Sequence, residues 1–204
     1  MMLKLKYVLV IIIIALNASC KVFAQHHISS YEYRWAVFHP FAALKIKHRL
    51  PEAMLIYKEV RDAKILDTLN SGGKLDAFRH SYSMAFLARS IPVKKLRKLG
   101  QAHEKGNEKQ FRKRQLEDGE RPDSLACDMD LKNNELGYLL GAANKKSTSQ
   151  ELKEITLKAI GAGQAVYLKR NNRQQYTRCN GEPLDIGKYR GIWFIPKCLI
   201  KTNE

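Results

Sequence analysis

Apolar residues recur at helical spacing through the first half of the chain: Trp35, Phe38, Ala42 and Ile46, then Met54, Ile56, Val60, Ile65 and Leu69. A period of three to four residues is the stripe of an amphipathic helix, so residues 31–69 predict two helices. Pro40 splits or kinks the first, and Pro51 suits the opening turn of the second, where a missing N–H costs little. Asn70-Ser71-Gly72-Gly73 makes a break. A third helix is predicted from about residue 74 to 90, with Leu75, Phe78, Tyr82, Phe86 and Leu87 on a broad apolar face. Pro92 opens a fourth that carries Val93, Leu96, Leu99 and His103. The charged run 105–123 reads as a mobile surface excursion, and such a loop beside site residues would serve as a lid. Residues 130–143 return to the helical pattern, with Gly137 and Gly141 at a spacing that lets helices approach closely. Ser147-Thr148-Ser149 followed by Glu151 signals an N-cap and a last long helix over 150–169. Beyond Asn171-Asn172, Pro183, Gly187, Gly191 and Pro196 interrupt Ile192-Trp193-Phe194-Ile195, the pattern of a short strand pair or an extended arm. The expected fold is all-α: one bundle of about five to six helices within residues 25–170, with a short extended or β-like arm over 171–204 packed on it.

The N-terminal 24 residues change the picture of where this bundle works. Lys4 and Lys6 precede an apolar run from Tyr7 to Leu16, and Val22-Phe23-Ala24 stands before Gln25, the layout of a cleaved secretory signal. The run is shorter than the roughly 20 residues a membrane-spanning helix needs. Export to the periplasm or medium is expected, with Cys20, after Leu16-Asn17-Ala18-Ser19, as a less favoured lipoprotein anchor. Removing the leader leaves about 180 residues, enough for one domain with a real core. The leader holds three of the 36 Lys and Arg and none of the 20 acids, so an excess of +13 remains from the whole chain's +16. That surface favours anionic partners: an anionic envelope component or a membrane surface first, nucleic acid second, because Phe111 is the only aromatic interleaved in the basic runs 94–98 and 105–114. In an oxidising compartment Cys179 and Cys198 could close a loop of 18 intervening residues, leaving Cys127 outside the pair. No Cys-x-x-Cys spacing is present to suggest a structural zinc knuckle.

Three polar strings carry the candidate chemistry: Asp76-Ala-Phe-Arg-His80, Ala102-His103-Glu104 and Asp128-Met-Asp-Leu-Lys-Asn-Asn134. Asp76 and His80 lie one turn apart and share a helix side, so Asp76 can share a metal with His80 or fix its tautomer. Arg79 can clamp a phosphate or carboxylate. His103 and Glu104 point about 100° apart and reach one centre only from the edges of a groove. Asp130, Asn133 and Asn134 add acceptors and amides at what reads as a loop-to-helix junction. Each string has a plainer alternative: a surface Asp–His pair, a core histidine beside a solvated glutamate, and Asp130 as an N-cap. Together, Asp76, His80, His103 and Asp130 are candidate catalytic groups, and Arg79, Asn133 and Asn134 candidate substrate-binding groups. Asp76, His80, His103, Glu104 and Asp130 offer the nitrogen and oxygen ligands of a divalent metal such as zinc in a helical bundle.

The ordered strings also resemble a family of small bacterial helical domains of unknown function, marked by Asp-Ala-Phe-Arg-His, a later Ala-His-Glu and then Met-Asp-Leu-x-Asn-Asn-x-x-Gly. They match Asp76–His80, Ala102–Glu104, and Met129–Asn134 with Gly137. The likeness spans roughly residues 31 to 170. The family pattern often has His before the two Asn and Trp three residues after the first His, where this chain has Lys132 and Ser83. Lys132 removes a third imidazole and weakens a three-histidine metal site. The resemblance implies a shared helical fold and polar centre, and brings no activity with it.

The expected function is an exported hydrolase of an ester or phosphodiester in an anionic envelope component, either metal-dependent or by acid–base catalysis. No Gly-x-Ser-x-Gly elbow or Cys–His signature points to a covalent nucleophile. The alternatives are a non-enzymatic envelope protein with a structural polar network and a basic binding face, and a secreted toxin or nuclease domain.

Overall fold

The structure, a computed structural model, describes residues 28–116 and 120–204. The leader, its cleavage point and Cys20 lie outside the described residues. Six α-helices are described: α1 (Ser30–Phe38), α2 (Pro40–Asp62), α3 (Lys74–Ala88), α4 (Val93–Arg112), α5 (Ser124–Ala143) and α6 (Ser149–Gly161). A short antiparallel pair follows, β1 (Val166–Leu168) with β2 (Leu199–Lys201), in the register Tyr167 opposite Ile200. The fold is an all-α bundle with a small β-like C-terminal arm.

Local chemistry explains the helix ends. Ser29 and Glu32 form a reciprocal capping box at α1, as Thr148 and Glu151 do at α6. Pro40 sits at the first turn of α2, where its missing donor is harmless. Pro51 lies inside α2 and does not begin a helix; it is exposed, so the carbonyl it leaves without a helical donor can be met by water. α3 has a glycine, Gly73, at its N-cap, and the capping is supplied from seven residues earlier: Asp67 accepts from the Lys74 and Leu75 amides at 2.6 and 3.1 Å. A Cβ on Gly73 would stand 2.7 Å from that carboxylate, so only glycine leaves room for it.

α3 is the central element, buried along most of its length, and α5 is its main partner. Their backbones meet because Gly137 and Gly141 carry no side chain: a Cβ there would come within 2.3 Å of the Ser81 carbonyl and 2.1 Å of the Ala85 carbonyl. On one side of this seam α2, α3 and α6 enclose Val60, Leu75, Phe78, Tyr82, Phe86 and Leu152. On another, α1 and α4 close over Trp35, Leu87, Leu96 and Tyr138.

Three expected boundaries move. α5 begins at Ser124, six residues before Asp130, capped by Asp123, which accepts from the Leu125 and Ala126 amides. α4 runs on to Arg112, which absorbs the first part of the charged run 105–123 into a helix, and the run's end is anchored, with Asp123 fully buried. α6 stops at Gly161, and after Gly163 at φ 75° the chain turns into β1 instead of continuing to 169. The arm packs Leu168, Tyr176, Leu184 and Ile195 around Met129 of α5. A disulfide joins Cys179 to Cys198; Cys127 is buried on α5.

Candidate functional site

The α3–α5 seam brings the first and third polar strings together. α3 presents Asp76 and His80 one turn apart, with Arg79 between them. Asp76 Oδ2 accepts the Gly72 amide at 2.8 Å, and Oδ1 accepts Arg79 Nη2 at 2.7 Å and Nε at 3.0 Å. α5 presents Asp130 and Asn134, again one turn apart, so both helices offer their polar pair at the same spacing. His80 sits between the pairs: Nδ1 lies 3.3 Å from Asn134 Oδ1, and Nε2 lies 3.2 Å from Asp130 Oδ1 and 3.5 Å from Asp76 Oδ1. If Nδ1 donates to Asn134, Nε2 faces both carboxylates and also Arg79 Nη2 at 3.2 Å, which can donate to its lone pair in the neutral ring. The Asp130 oxygen approaches off the line of a hydrogen bond, and among the described residues it is a buried carboxylate atom with no hydrogen-bond partner.

The electrostatics follow from two carboxylates sharing a dry seam. Burial alone would push the His80 imidazole down in pKa, but Asp130 beside it and the contact with Asp76 outweigh this and hold it at about 9. Burial opposes ionisation of Asp76 too, yet the Arg79 guanidinium and His80 hold its carboxyl well below the usual range. Asp130 goes the other way: burial raises it well above an ordinary carboxyl, against the pull of His80. His80 and Asp130 therefore titrate as a unit around one shared proton. With that proton in place, the charges of Arg79, His80, Asp76 and Asp130 cancel.

The seam opens on a small cavity of about 20 Å³ lined by Asp76, Arg79 and Asp130 from the helices, by Glu120 and Arg121, and by Lys197 of the arm. That volume matches about one water molecule or ion. One ligand atom from each of Asp76, His80 and Asp130 lies within 4.8 Å of the others. The three make a candidate nitrogen–oxygen metal cluster at the cavity wall.

Not every candidate residue converges here. His103 turns to α1, where its Nδ1 lies 3.0 Å from Glu32 Oε1. Its neighbour Glu104 is the one that faces inward: it is buried, accepts from Asn107 Nδ2 at 2.9 Å, and its charge reaches Asp130. Asn133 is fully buried but turned away from the cavity, clamping β1 through both ends of its amide, to the Val166 carbonyl and amide at 3.0 Å each. Asp128 is exposed, as is Lys132. Asp130 is an interior helix residue and not an N-cap, because Asp123 fills that role.

Sequence reasoning passed over the groups that close the site. Asp123 forms a buried ion pair with Lys197 at 2.6 Å. Glu120 accepts from Arg170 at 2.7 Å and from Tyr176 at 2.6 Å, and Arg170 also reaches the Ser71 carbonyl beside Asp76's loop. The arm is thus tied to both helices that bear the site. The local signal for Asp123 was present in Pro122-Asp123-Ser124, an N-cap pattern hidden at the end of a charged run; nothing local marks Lys197 or Glu120.

No helix among the described residues is long and apolar enough to cross a membrane. No curated protein and no solved structure matches the chain. Residues 33–164 match a protein family described as a domain of unknown function, DUF6973, and this span contains all three polar strings. The chain belongs to that family.

Proposed function

We propose that this protein is an exported, metal-dependent hydrolase acting on an ester or phosphodiester of an anionic envelope component, with Asp76, His80 and Asp130 holding a divalent ion such as zinc. The observation that carries the reading is the Asp130 oxygen, buried without a hydrogen-bond partner and directed at His80 Nε2 beside Asp76. A buried carboxylate oxygen in that state is costly, and a cation is the simplest ligand to relieve it. The proton on His80 stands where the ion's charge belongs, so binding would expel it. Held by Asp76, His80 and Asp130, a divalent ion would supply Lewis acidity toward a water near neutral pH. The residues around it keep separate tasks: Asn134 orients the His80 ring, Gly72 and Arg79 orient Asp76, and Arg79 offers positive charge at the cavity wall to an anionic substrate. Because the cavity holds about one water, substrate would bind across its mouth near Arg121, with Lys197 buried behind it against Asp123. Export rests on the leader sequence and is supported by the Cys179–Cys198 disulfide.

A second reading, a non-enzymatic envelope protein with a structural polar network, is favoured by one observation. Both oxygens of Asp76 already accept hydrogen bonds. Metal analysis of the purified protein separates the two. About one equivalent of zinc or another divalent ion, lost in His80→Ala and Asp130→Asn, together with metal-restored hydrolysis of ester or phosphodiester reporter substrates, supports the hydrolase. Negligible metal in all three proteins, with only their melting temperatures differing, supports the network.

A further inference from the structure

The α1–α2 elbow carries an apolar surface that the candidate site does not use. Val37, Phe38, Phe41 and Leu44 are 49, 68, 82 and 53 % exposed, and Tyr33 one turn before Val37 is 48 % exposed. Ile28 and Tyr31 are exposed just before them and others stand further along the chain, but these five fall within twelve residues that span the His39–Pro40 break. The buried side of the same elbow is complete: Trp35 and Ala42 face the core, and Trp35 Nε1 donates to the Lys95 carbonyl at 3.0 Å. The exposed side is therefore surplus to folding. Single exposed apolar residues are ordinary, but five within twelve residues of one elbow, two of them phenylalanines, mark a candidate contact surface.

The charge around it selects the occupant. Between residues 28 and 50 there are four Lys or Arg and a single acid, Glu32. Glu32 is spent inside the capping box and on His103. α1 lies against α4 in antiparallel fashion, with Glu32 reaching His103 and Trp35 reaching Lys95, so α1 ends at Phe38 beside the start of α4. From 94 to 114 that helix and its end carry nine Lys or Arg against Glu104, which is buried, and Glu108. Arg34, Lys45, Lys94 and Lys98 are all exposed, whereas Arg97, also exposed, is paired bidentately with Glu135 at 2.6 Å. A second copy of the chain would bring the same positive rim against itself, a repulsive arrangement at an excess of +13 to +16. An anionic bilayer offers both halves of the complement: acyl chains for the phenylalanines and headgroup charge for the bases.

We propose that the α1–α2 elbow is a docking face for an anionic lipid bilayer, with Phe38 and Phe41 inserted at the interface and the basic residues of α1, α2 and α4 on the headgroups. The inference is independent of the hydrolase reading, because it needs no metal and no turnover.

The test uses the protein as isolated from exporting cells, with its N-terminus read by mass spectrometry, and vesicles of phosphatidylcholine alone or mixed with phosphatidylglycerol. Sedimentation should show binding to the mixed vesicles only, at least tenfold weaker in Phe38→Ser/Phe41→Ser and weaker at high salt. The double variant should keep its circular dichroism and melting temperature, since both side chains are exposed. Phe41→Trp reads the position directly, even in a chain that retains its apolar leader. The added emission should shift to the blue on mixed vesicles and be quenched by lipids brominated in their acyl chains. Unshifted, unquenched emission from that variant overturns the proposal. So does equal binding by the double variant, or a doubled mass in light scattering that the double variant abolishes, which would make the face a homodimer contact.

Discussion

The molecule contains two helix seams that each join a histidine to a carboxylate across a glycine, and they behave differently. In the α3–α5 seam Gly137 and Gly141 press backbone against backbone, and His80 meets two carboxylates, an arginine and an amide in a dry groove. In the α1–α4 seam a Cβ on Gly106 would meet the Ser29 side chain at 2.6 Å and Glu32 Oε2 at 4.0 Å, and His103, about a quarter exposed, meets the Glu32 carboxylate. The residue types are the same. Surplus makes the difference: His103 and Glu32 satisfy each other and close the account, whereas the α3–α5 seam holds one carboxylate oxygen more than its donors reach. A site is recognised by what its neighbours leave unsatisfied.

The comparison can be broken most directly at the glycines. Gly141→Leu should cost about 3 kcal/mol or more, or prevent folding, because the obstruction is the Ala85 carbonyl and cannot rotate away. Urea titration of the full chain measures it. A second test uses pH. In chelator-treated protein His80 binds its proton more tightly folded than unfolded, so the stability it contributes is complete below pH 6.5 and lost as pH rises through about 9. The loss should approach about 3 kcal/mol, and His80→Gln should flatten the slope. A melting temperature that does not fall between pH 6.5 and 9.5 removes the shared-proton description of the seam.

Smaller effects are expected at the other seam. Gly106→Ala should cost about 1 kcal/mol, since its Cβ would press on the Ser29 side chain that caps α1, while alanine regains helix propensity. Glu32→Gln should cost less than about 1 kcal/mol, the usual worth of a partly exposed ion pair. Burial raises the Glu32 carboxyl, but His103 and Ser29 more than offset this, so it titrates below 4.5 in the fold. Its contribution is present above pH 4.5 and fades as pH falls below that; the difference between wild type and Glu32→Gln should shrink towards pH 3. If Glu32→Gln and His80→Gln changed the pH dependence alike, the contrast between the seams would be lost.

How much of this was legible in the sequence follows from what each residue depends on. Helices and their caps depend on near neighbours, so the cap at Thr148 and Glu151, the Asp76–His80 pair and the close-packing glycines could be read directly, while the equally local Ser29–Glu32 box was passed over. Pro51 misled because an exposed helix interior tolerates what a buried one would not. The end of α6 was written in Gly161-Ala-Gly163 but outvoted by an apolar run that belongs to β1. The site was half legible. Asp130 and Asn134 repeat the four-residue spacing of Asp76 and His80, a signal obscured by placing the helix start at Asp130 and not at Ser124. The direction of His103 was not legible, because one helix position is 100° of rotation and the choice between neighbours is made by α1, seventy residues earlier. Lys197 and Glu120 reach the cavity through tertiary packing alone.

The C-terminal arm has a consequence for the order of assembly. β1 has no strand partner until residues 199–201 have been delivered, and the same stretch brings Lys197 to Asp123 and Cys198 to Cys179. A chain stopped shortly before that point would hold every candidate ligand and yet lack the strand, the ion pair and the crosslink that shut the cavity wall. Such a chain would be a bundle with an unpaired strand edge and a carboxylate buried without its lysine, both marks of a protein that proteases clear. Closure of the cavity wall therefore waits for residues 197–201, which supply the lysine, the cysteine and the strand together.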